Sequence, residues 1–142
     1  MTHCQLMRTW FERVWNQGDV SFVDEALAEP CEVTGLSADT ITSRSGFRGF
    51  HQTLNAAFSE IHVEVKRLME CGDEVSGAVV VHATHRGTGK RISFQSSFFG
   101  TVRAGKIVEA ANLVDYFGLL SEMGVLEPAV LGNALAPVTS DG

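Results

Sequence analysis

The sequence predicts an α+β fold: a cone-shaped, curved antiparallel sheet with helices packed on its concave face, enclosing a pocket. Helical periodicity dominates the chain as far as Ile61, and strand-like runs separated by tight-turn signals follow it. Helices that precede a set of strands, rather than alternating with them, are typical of α+β proteins. Because long twisted antiparallel sheets curl, we expect a ligand pocket in the hollow between the sheet and the helices.

Three helical segments are expected before the sheet. The first has an apolar stripe at helical spacing and ends before Gly18, which is a suitable residue after a helix C-terminus. The second begins at Asp19 or Ser21 and ends before Pro30. A short strand is predicted over residues 31–36 and a polar loop over 37–45. The third helix is predicted from its apolar periodicity, carried by Phe47, Phe50, Leu54, Ala57, Phe58 and Ile61.

Four strands in a meander account for the region from about His62 to Asp115. Glycine-containing turn sequences separate them; these turns are Cys71–Glu74, Gly87–Lys90 and Arg103–Lys106. A short apolar helix closed by Gly124 is expected after the last strand. We therefore predict one domain over residues 1–126 and a C-terminal tail over residues 127–142.

The composition excludes several classes of function. Eleven basic and seventeen acidic residues give a net charge of −6, which disfavours nucleic acid as a partner. No apolar run approaches the roughly 20 residues that span a bilayer, so no membrane association is predicted. Three widely spaced cysteines indicate reduced thiols and a cytoplasmic location. The dispersed histidines predict no metal site.

Asp115 is the first candidate for a catalytic residue, because it ends an apolar strand and precedes Tyr116. Desolvation at such a position raises the pKa of a carboxyl group and suits general acid–base chemistry. The alternative is that Asp115 is the N-cap of the next helix, where hydrogen bonds from backbone N–H groups lower its pKa. The two interpretations predict pKa shifts of opposite sign.

His85 is the second candidate, because an imidazole can transfer a proton near neutral pH. The alternative is an exposed histidine at a strand end. Strand alternation and helical periodicity suggest an apolar pocket lining, expected to consist of Trp15, Leu54, Phe58, Phe99, Leu113 and Tyr116.

Several short motifs, taken in order, resemble one known family. The segment Gly105-Lys106-Ile107-Val108-Glu109, Asp115 and the sequence Leu119-Leu120-Ser121-Glu122-Met123-Gly124 are similar to the end of SnoaL-like polyketide cyclases, which belong to the nuclear transport factor 2-like superfamily. Asn16-Gln17-Gly18-Asp19, Gly46-Phe47-Arg48-Gly49 and Thr84-His85-Arg86-Gly87 resemble further family segments. The sequence departs from the pattern at Ala111, where the family commonly has tryptophan.

The resemblance implies the cone-shaped α+β fold, a homodimer formed through the sheet, and an intramolecular aldol reaction without a cofactor. It also implies that Asp115 handles the proton, with His85 as a possible partner. On this basis we expect Asp115 to remove a proton next to a carbonyl group, and either His85 or Tyr116 to donate a hydrogen bond to the enolate oxygen. The leading hypothesis is therefore a cofactor-independent enzyme that performs aldol cyclisation or isomerisation on a hydrophobic, polyketide-like carbonyl compound. Two alternatives stay open, because fold alone does not decide function: a non-catalytic dimeric binding module, and a hydrolase or dehydratase that activates water.

Overall fold

The structure, a computed structural model, describes residues 1–138, so the last four residues of the predicted tail lie outside the described part of the chain. Helix α1 continues directly into a π-helical segment. The third predicted helix corresponds to α3, but Phe58 and Ile61, which were expected in this helix, lie in β2. The helical elements are α1 (His3–Trp10), the π-helix (Phe11–Asn16), α2 (Ser21–Ala26), α3 (Arg44–Ala57), α4 (Tyr116–Glu122) and α5 (Ala129–Leu135). The strands are β1 (Leu27–Thr34), β2 (Phe58–Cys71), β3 (Glu74–His85), β4 (Arg91–Arg103) and β5 (Lys106–Val114).

The five strands form a curved, unclosed sheet in the order β1-β5-β4-β3-β2. Strands β2 to β5 are an antiparallel meander, as the turn signals predict. Strand β1 pairs in parallel with β5, so the sheet is mixed and the expectation of a wholly antiparallel sheet needs correction. With this one change, the predicted α+β class and architecture are confirmed.

The helices pack against the concave face of the sheet and form the main core with it. Trp10 of α1 contacts Phe47 of α3 at 5.0 Å between ring centroids, and the π-helical Phe11 contacts Phe98 of β4 at 5.6 Å. Val14 and Val23 are fully buried in the same core. Aromatic contacts of this kind fix how the helices lie over the sheet.

A β-bulge in β5 decides which side chains face the helices. Thr101 pairs with Glu109 and Val102 pairs with Ile107, so Val108 is an extra residue in β5. An extra residue reverses the alternation of side chains beyond it. Ile107 is buried, whereas from residue 109 onward the odd-numbered side chains of β5 are exposed. The sequence analysis had no bulge at this point.

The segment after α4 adds no buried residue through α5. The division into a domain over residues 1–126 and a tail stays a prediction. Across residues 1–138, every helix is too short or too polar to cross a membrane.

Candidate ligand cavity

A cavity of about 130 Å³ lies between the concave face of the sheet and the helices above it. Its walls come from α1, the π-helix, α3, α4 and all five strands. Trp10 and Trp15, the two tryptophans of the chain, both line it, together with phenylalanines from α3, β2 and β4. The cavity is therefore strongly apolar and aromatic, as is usual for small-molecule sites.

The π-helix positions Trp15 in this wall. In a π-helix the backbone hydrogen bonds join each residue to the fifth residue along the chain. The Val14 carbonyl accepts a hydrogen bond from the buried His51 imidazole, with a distance of 2.8 Å between Nε2 and the oxygen. The His51 ring in turn packs on the Trp15 indole at 4.8 Å between centroids. His51 therefore packs against Trp15 and helps to hold it in the wall, but His51 does not itself line the cavity.

Three polar side chains interrupt the apolar lining, namely Ser96, Asn112 and Tyr116. Asn112 Nδ2 donates a hydrogen bond to the Thr34 carbonyl oxygen at 3.0 Å, which leaves its second N–H group for the cavity. The Tyr116 hydroxyl donates to the Leu36 carbonyl oxygen. Burial raises the pKa of the Tyr116 phenol, so it remains protonated at neutral pH.

Charged side chains lie outside this cavity. Within residues 1–138, the lining includes no aspartate, glutamate, histidine, lysine or arginine. The same part of the chain also brings together no group of three or more His, Cys, Asp and Glu side chains of the kind that holds a metal ion. The polar chemistry of the cavity therefore depends on a hydroxyl, an amide and a phenol.

Asp115 lies outside the cavity, at the N-terminus of α4. Its Oδ1 accepts a hydrogen bond from the Gly118 backbone N–H at 2.8 Å, and its side chain is exposed. The carboxylate lies so close to Gly118 that a Cβ atom there would stand 2.3 Å from Oδ2. Asp115 borders a shallow groove on the opposite side of the sheet, beside Gln95 and Leu113. This geometry favours the N-cap interpretation, and a catalytic role for Asp115 stays a prediction.

His85 ends β3, far from Asp115. Its ring packs against Phe58 at 5.6 Å between centroids, and its Nδ1 lies 3.0 Å from the Thr88 hydroxyl oxygen. Strand β4 separates the two residues across the sheet: Asp115 bonds to Gln95, whereas His85 bonds to Lys90. At about 3.3 Å per residue and 4.8 Å per strand, the two side chains are more than about 15 Å apart. The structure does not bring them together as a catalytic pair.

The six expected lining residues divide between the two faces of the sheet. Trp15, Leu54, Phe58 and Tyr116 line the cavity, and their contact with a ligand stays a prediction. Phe99 and Leu113 lie on the convex outer face and are 69% and 77% exposed, so their assignment to the pocket needs correction.

Two separate causes explain the correction. Phe99 follows Phe98, which occupies the inward position of β4, so alternation turns Phe99 outward. Leu113 lies beyond the Val108 bulge, which reverses the faces of β5. Ala111 is turned outward for the same reason and is not part of the cavity wall. In its place Asn112 faces inward, and the sequence analysis did not identify it or Ser96 as site residues.

Comparison with known proteins agrees with this geometry. The sequence model of the SnoaL-like polyketide cyclases matches residues 5–123. The chain belongs to this family. The resemblance seen in the sequence motifs is thereby confirmed. No curated protein matches the chain.

Solved structures show the same nuclear transport factor 2-like fold. IdmH, a proposed polyketide cyclase from Streptomyces antibioticus, is 26% identical with a TM-score of 0.76, over 86% of this chain and 98% of that one. A proposed SnoaL-like polyketide cyclase from Jannaschia sp. CCS1 is 14% identical with a TM-score of 0.78, over 87% and 92% of the two chains. AclR, a proposed hydroxylase from Streptomyces galilaeus, is 23% identical with a TM-score of 0.75, over 88% and 99%. The last two matches show the fold alone.

Proposed function

We propose that this SnoaL-like chain binds a hydrophobic, polyketide-like carbonyl compound in the cavity and promotes its aldol cyclisation or isomerisation. The observation that carries the proposal is an apolar cavity with hydrogen-bond donors, Ser96 and Asn112, on its sheet wall. The family and the likeness to IdmH support the reaction class. Cofactor-independent chemistry is consistent with these residues.

The donors act on the oxygen atom that gains negative charge. In an intramolecular aldol reaction the carbon next to one carbonyl group gives a proton to a water molecule, since no carboxylate or imidazole lines the cavity within residues 1–138. The resulting enolate carbon then bonds to a second carbonyl carbon. The oxygen of that second carbonyl then takes up a proton, so the whole reaction is an isomerisation. Amide and hydroxyl donors in a water-poor cavity stabilise both the enolate and the new alkoxide. Confinement by Trp10 and Trp15 also favours the folded substrate over extended conformations.

A ring-closure assay tests this proposal. The probe is a neutral triketone, 2-(3-oxobutyl)-2-methylcyclohexane-1,3-dione, which forms a bicyclic ketol by an internal aldol reaction. We expect the wild-type chain to accelerate closure, and Asn112→Leu to reduce the acceleration about 100-fold, as the loss of one oxyanion donor does elsewhere. Leucine has nearly the shape of asparagine and lacks its donor. Unchanged turnover in Asn112→Leu contradicts the assignment of the donor.

A second candidate function is non-catalytic binding of the same class of molecule. It is favoured by one observation: across residues 1–138 neither a carboxylate nor an imidazole lines the cavity, so the usual general bases are missing there. Binding of the triketone without any acceleration of ring closure is the result that selects this function.

We also propose that the protein is a homodimer formed through the outer face of the sheet. Phe99, Leu113 and Met69 are exposed on that face. A polar row borders them, in which His82 contacts Ser93 at 2.8 Å and Glu64 at 3.1 Å. An apolar centre with a polar rim is typical of subunit interfaces. A cytoplasmic location remains a prediction that rests on the three free cysteines.

A further inference from the structure

We infer that the ligand of this cavity is an uncharged compound that buries about one ring, with at most a second ring reaching the cavity mouth. The inference rests on the proposed function and narrows its substrate class. It excludes large fused-ring skeletons and carboxylate-bearing ligands, two groups that a polyketide-like description leaves open.

The size limit follows from the cavity volume. The cavity measures about 130 Å³, and an apolar protein cavity of about 150 Å³ holds a single benzene molecule. Drug-sized ligands occupy sites of roughly 300–1,000 Å³. A skeleton of four fused rings therefore does not fit unless the buried walls separate, and those walls include the closely packed Trp10, Phe47 and Phe98.

The position of the mouth follows from Tyr116. Its side chain lines the cavity and is also 38% exposed, so the cavity approaches the surface beside it. The Tyr116 hydroxyl bonds to the Leu36 carbonyl oxygen, which joins α4 to the loop after β1 across this opening. A second ring can reach this point, whereas other wall residues, such as Trp10, Phe47 and Phe98, are buried.

The charge limit follows from the lining. An ionised carboxylate buried without a partner loses several kcal/mol of hydration free energy. Among the described residues, the lining provides no cation to offset this loss. The buried His51 packs on Trp15 in the aromatic wall, but it does not itself line the cavity, and its Nε2 is already bonded to the Val14 carbonyl oxygen. A charged ligand therefore has no favourable position here.

The polar groups indicate how a neutral ligand is oriented. Asn112 pairs with Phe98 across β4 and β5, and Ser96 lies two residues further along β4 on the same face. Such diagonal neighbours have Cβ atoms roughly 7 Å apart, so one ligand oxygen can lie between them. Trp15 and Phe50 form an aromatic corner at 6.3 Å, with an interplanar angle of 80°. A ligand that places an oxygen at the sheet wall and a ring against the helices is a ketone, an enol or a phenol.

Three related probes test this inference by equilibrium dialysis. These are 2-acetonaphthone, a neutral two-ring ketone; 2-naphthoate, an anion on the same ring system; and 1-acetylpyrene, a neutral ketone on four fused rings. We expect 2-acetonaphthone to bind at least 10-fold more tightly than either of the others. Both tryptophans line the cavity, so quenching of their fluorescence locates the bound probe.

Asn112→Leu and 2-ethylnaphthalene, which has no oxygen, provide the matched controls. The wild-type chain should prefer 2-acetonaphthone to 2-ethylnaphthalene, and Asn112→Leu should reduce this preference about 10-fold, a loss within the range for one buried hydrogen bond. Equal preference in the two proteins overturns the predicted orientation. Tight binding of 2-naphthoate or 1-acetylpyrene overturns the charge or size limit and leaves the proposed function standing. Failure of every probe to bind contradicts the proposed function itself.

Discussion

The Asp115 carboxylate is bound to the backbone of α4, where it accepts a hydrogen bond from Gly118. An aspartate in this position satisfies an N–H group that has no partner within the helix. Its chain neighbours Val114 and Tyr116 both line the cavity, so cavity-lining and capping side chains are adjacent in the sequence. At the residue scale, the direction in which a side chain points from the strand decides whether it can contact a ligand, whatever its chemical type.

Substitutions of Asp115 distinguish the cap from a catalytic residue. We expect Asp115→Ala to lower the free energy of unfolding by about 1 kcal/mol, and Asp115→Asn to change it little because asparagine is an equally good N-cap. Both variants should bind 2-acetonaphthone like the wild type. Urea denaturation and dialysis are the measurements. If Asp115→Asn removes ring closure while keeping stability and binding, Asp115 is an acid–base residue after all.

The chain could be divided into elements from its sequence because local signals mark their ends. Gly72, Gly89 and Gly105 have positive φ values of 58°, 69° and 75°, which glycine adopts without strain, and each lies in a predicted turn. The Val108 bulge has no such signal, because it depends on how β5 pairs with β4. The same holds for β1, whose parallel partner is set by the whole sheet. The bulge accounts for the misplaced Leu113 and the unrecognised Asn112, and the pairing of β1 accounts for the parallel edge that the sequence analysis did not predict.

The junction between the π-helix and α2 depends on one ionised carboxylate. Asp19 accepts hydrogen bonds from the Ser21 hydroxyl at 2.5 Å and from Arg13 at 2.8 Å. The hydrogen bond from Ser21, followed by that from Arg13, lowers the pKa of Asp19 below its ordinary value. A lowered folded-state pKa stabilises the protein above the unfolded pKa and loses this effect as the pH falls through the folded value.

We therefore expect Asp19→Asn to flatten the acid side of the stability profile, in the range below the ordinary aspartate pKa of about 4. Ser21→Ala should have a smaller effect in the same direction, because it removes only the first hydrogen bond. Thermal melting from pH 2 to pH 7 measures both. A wild-type and an Asp19→Asn profile that stay parallel throughout this range contradict the assignment.

At the scale of the whole molecule, the two faces of the sheet have different roles. The concave face contributes to the cavity, and the convex face carries exposed Phe99, Leu113 and Met69. Large exposed apolar patches of this kind mark interaction surfaces in soluble proteins. The family resemblance in the sequence implied a dimer formed through the sheet, and alternation alone did not reveal which apolar residues face outward.

A charged substitution on the outer face tests the homodimer. We expect Phe99→Glu, alone or with Leu113→Glu, to convert a dimer at micromolar concentration into a monomer, because the carboxylates resist burial at an interface. Leu135→Glu is the control, since Leu135 is 74% exposed on α5. Sedimentation velocity gives the masses. A wild-type chain that sediments as a monomer, or a dimer that survives both substitutions, contradicts the proposed interface.

The parallel pairing of β1 with β5 has a consequence for how the chain folds. The Thr34 carbonyl oxygen and the Asn112 amide that bonds to it are 78 residues apart, so we expect this edge of the sheet to form after the meander. Contacts between distant residues slow folding, typically into the range of milliseconds to seconds. During synthesis, β1 emerges from the ribosome long before its partner strand does. We expect the cavity to be assembled last, since β1 and β5 both contribute to its wall.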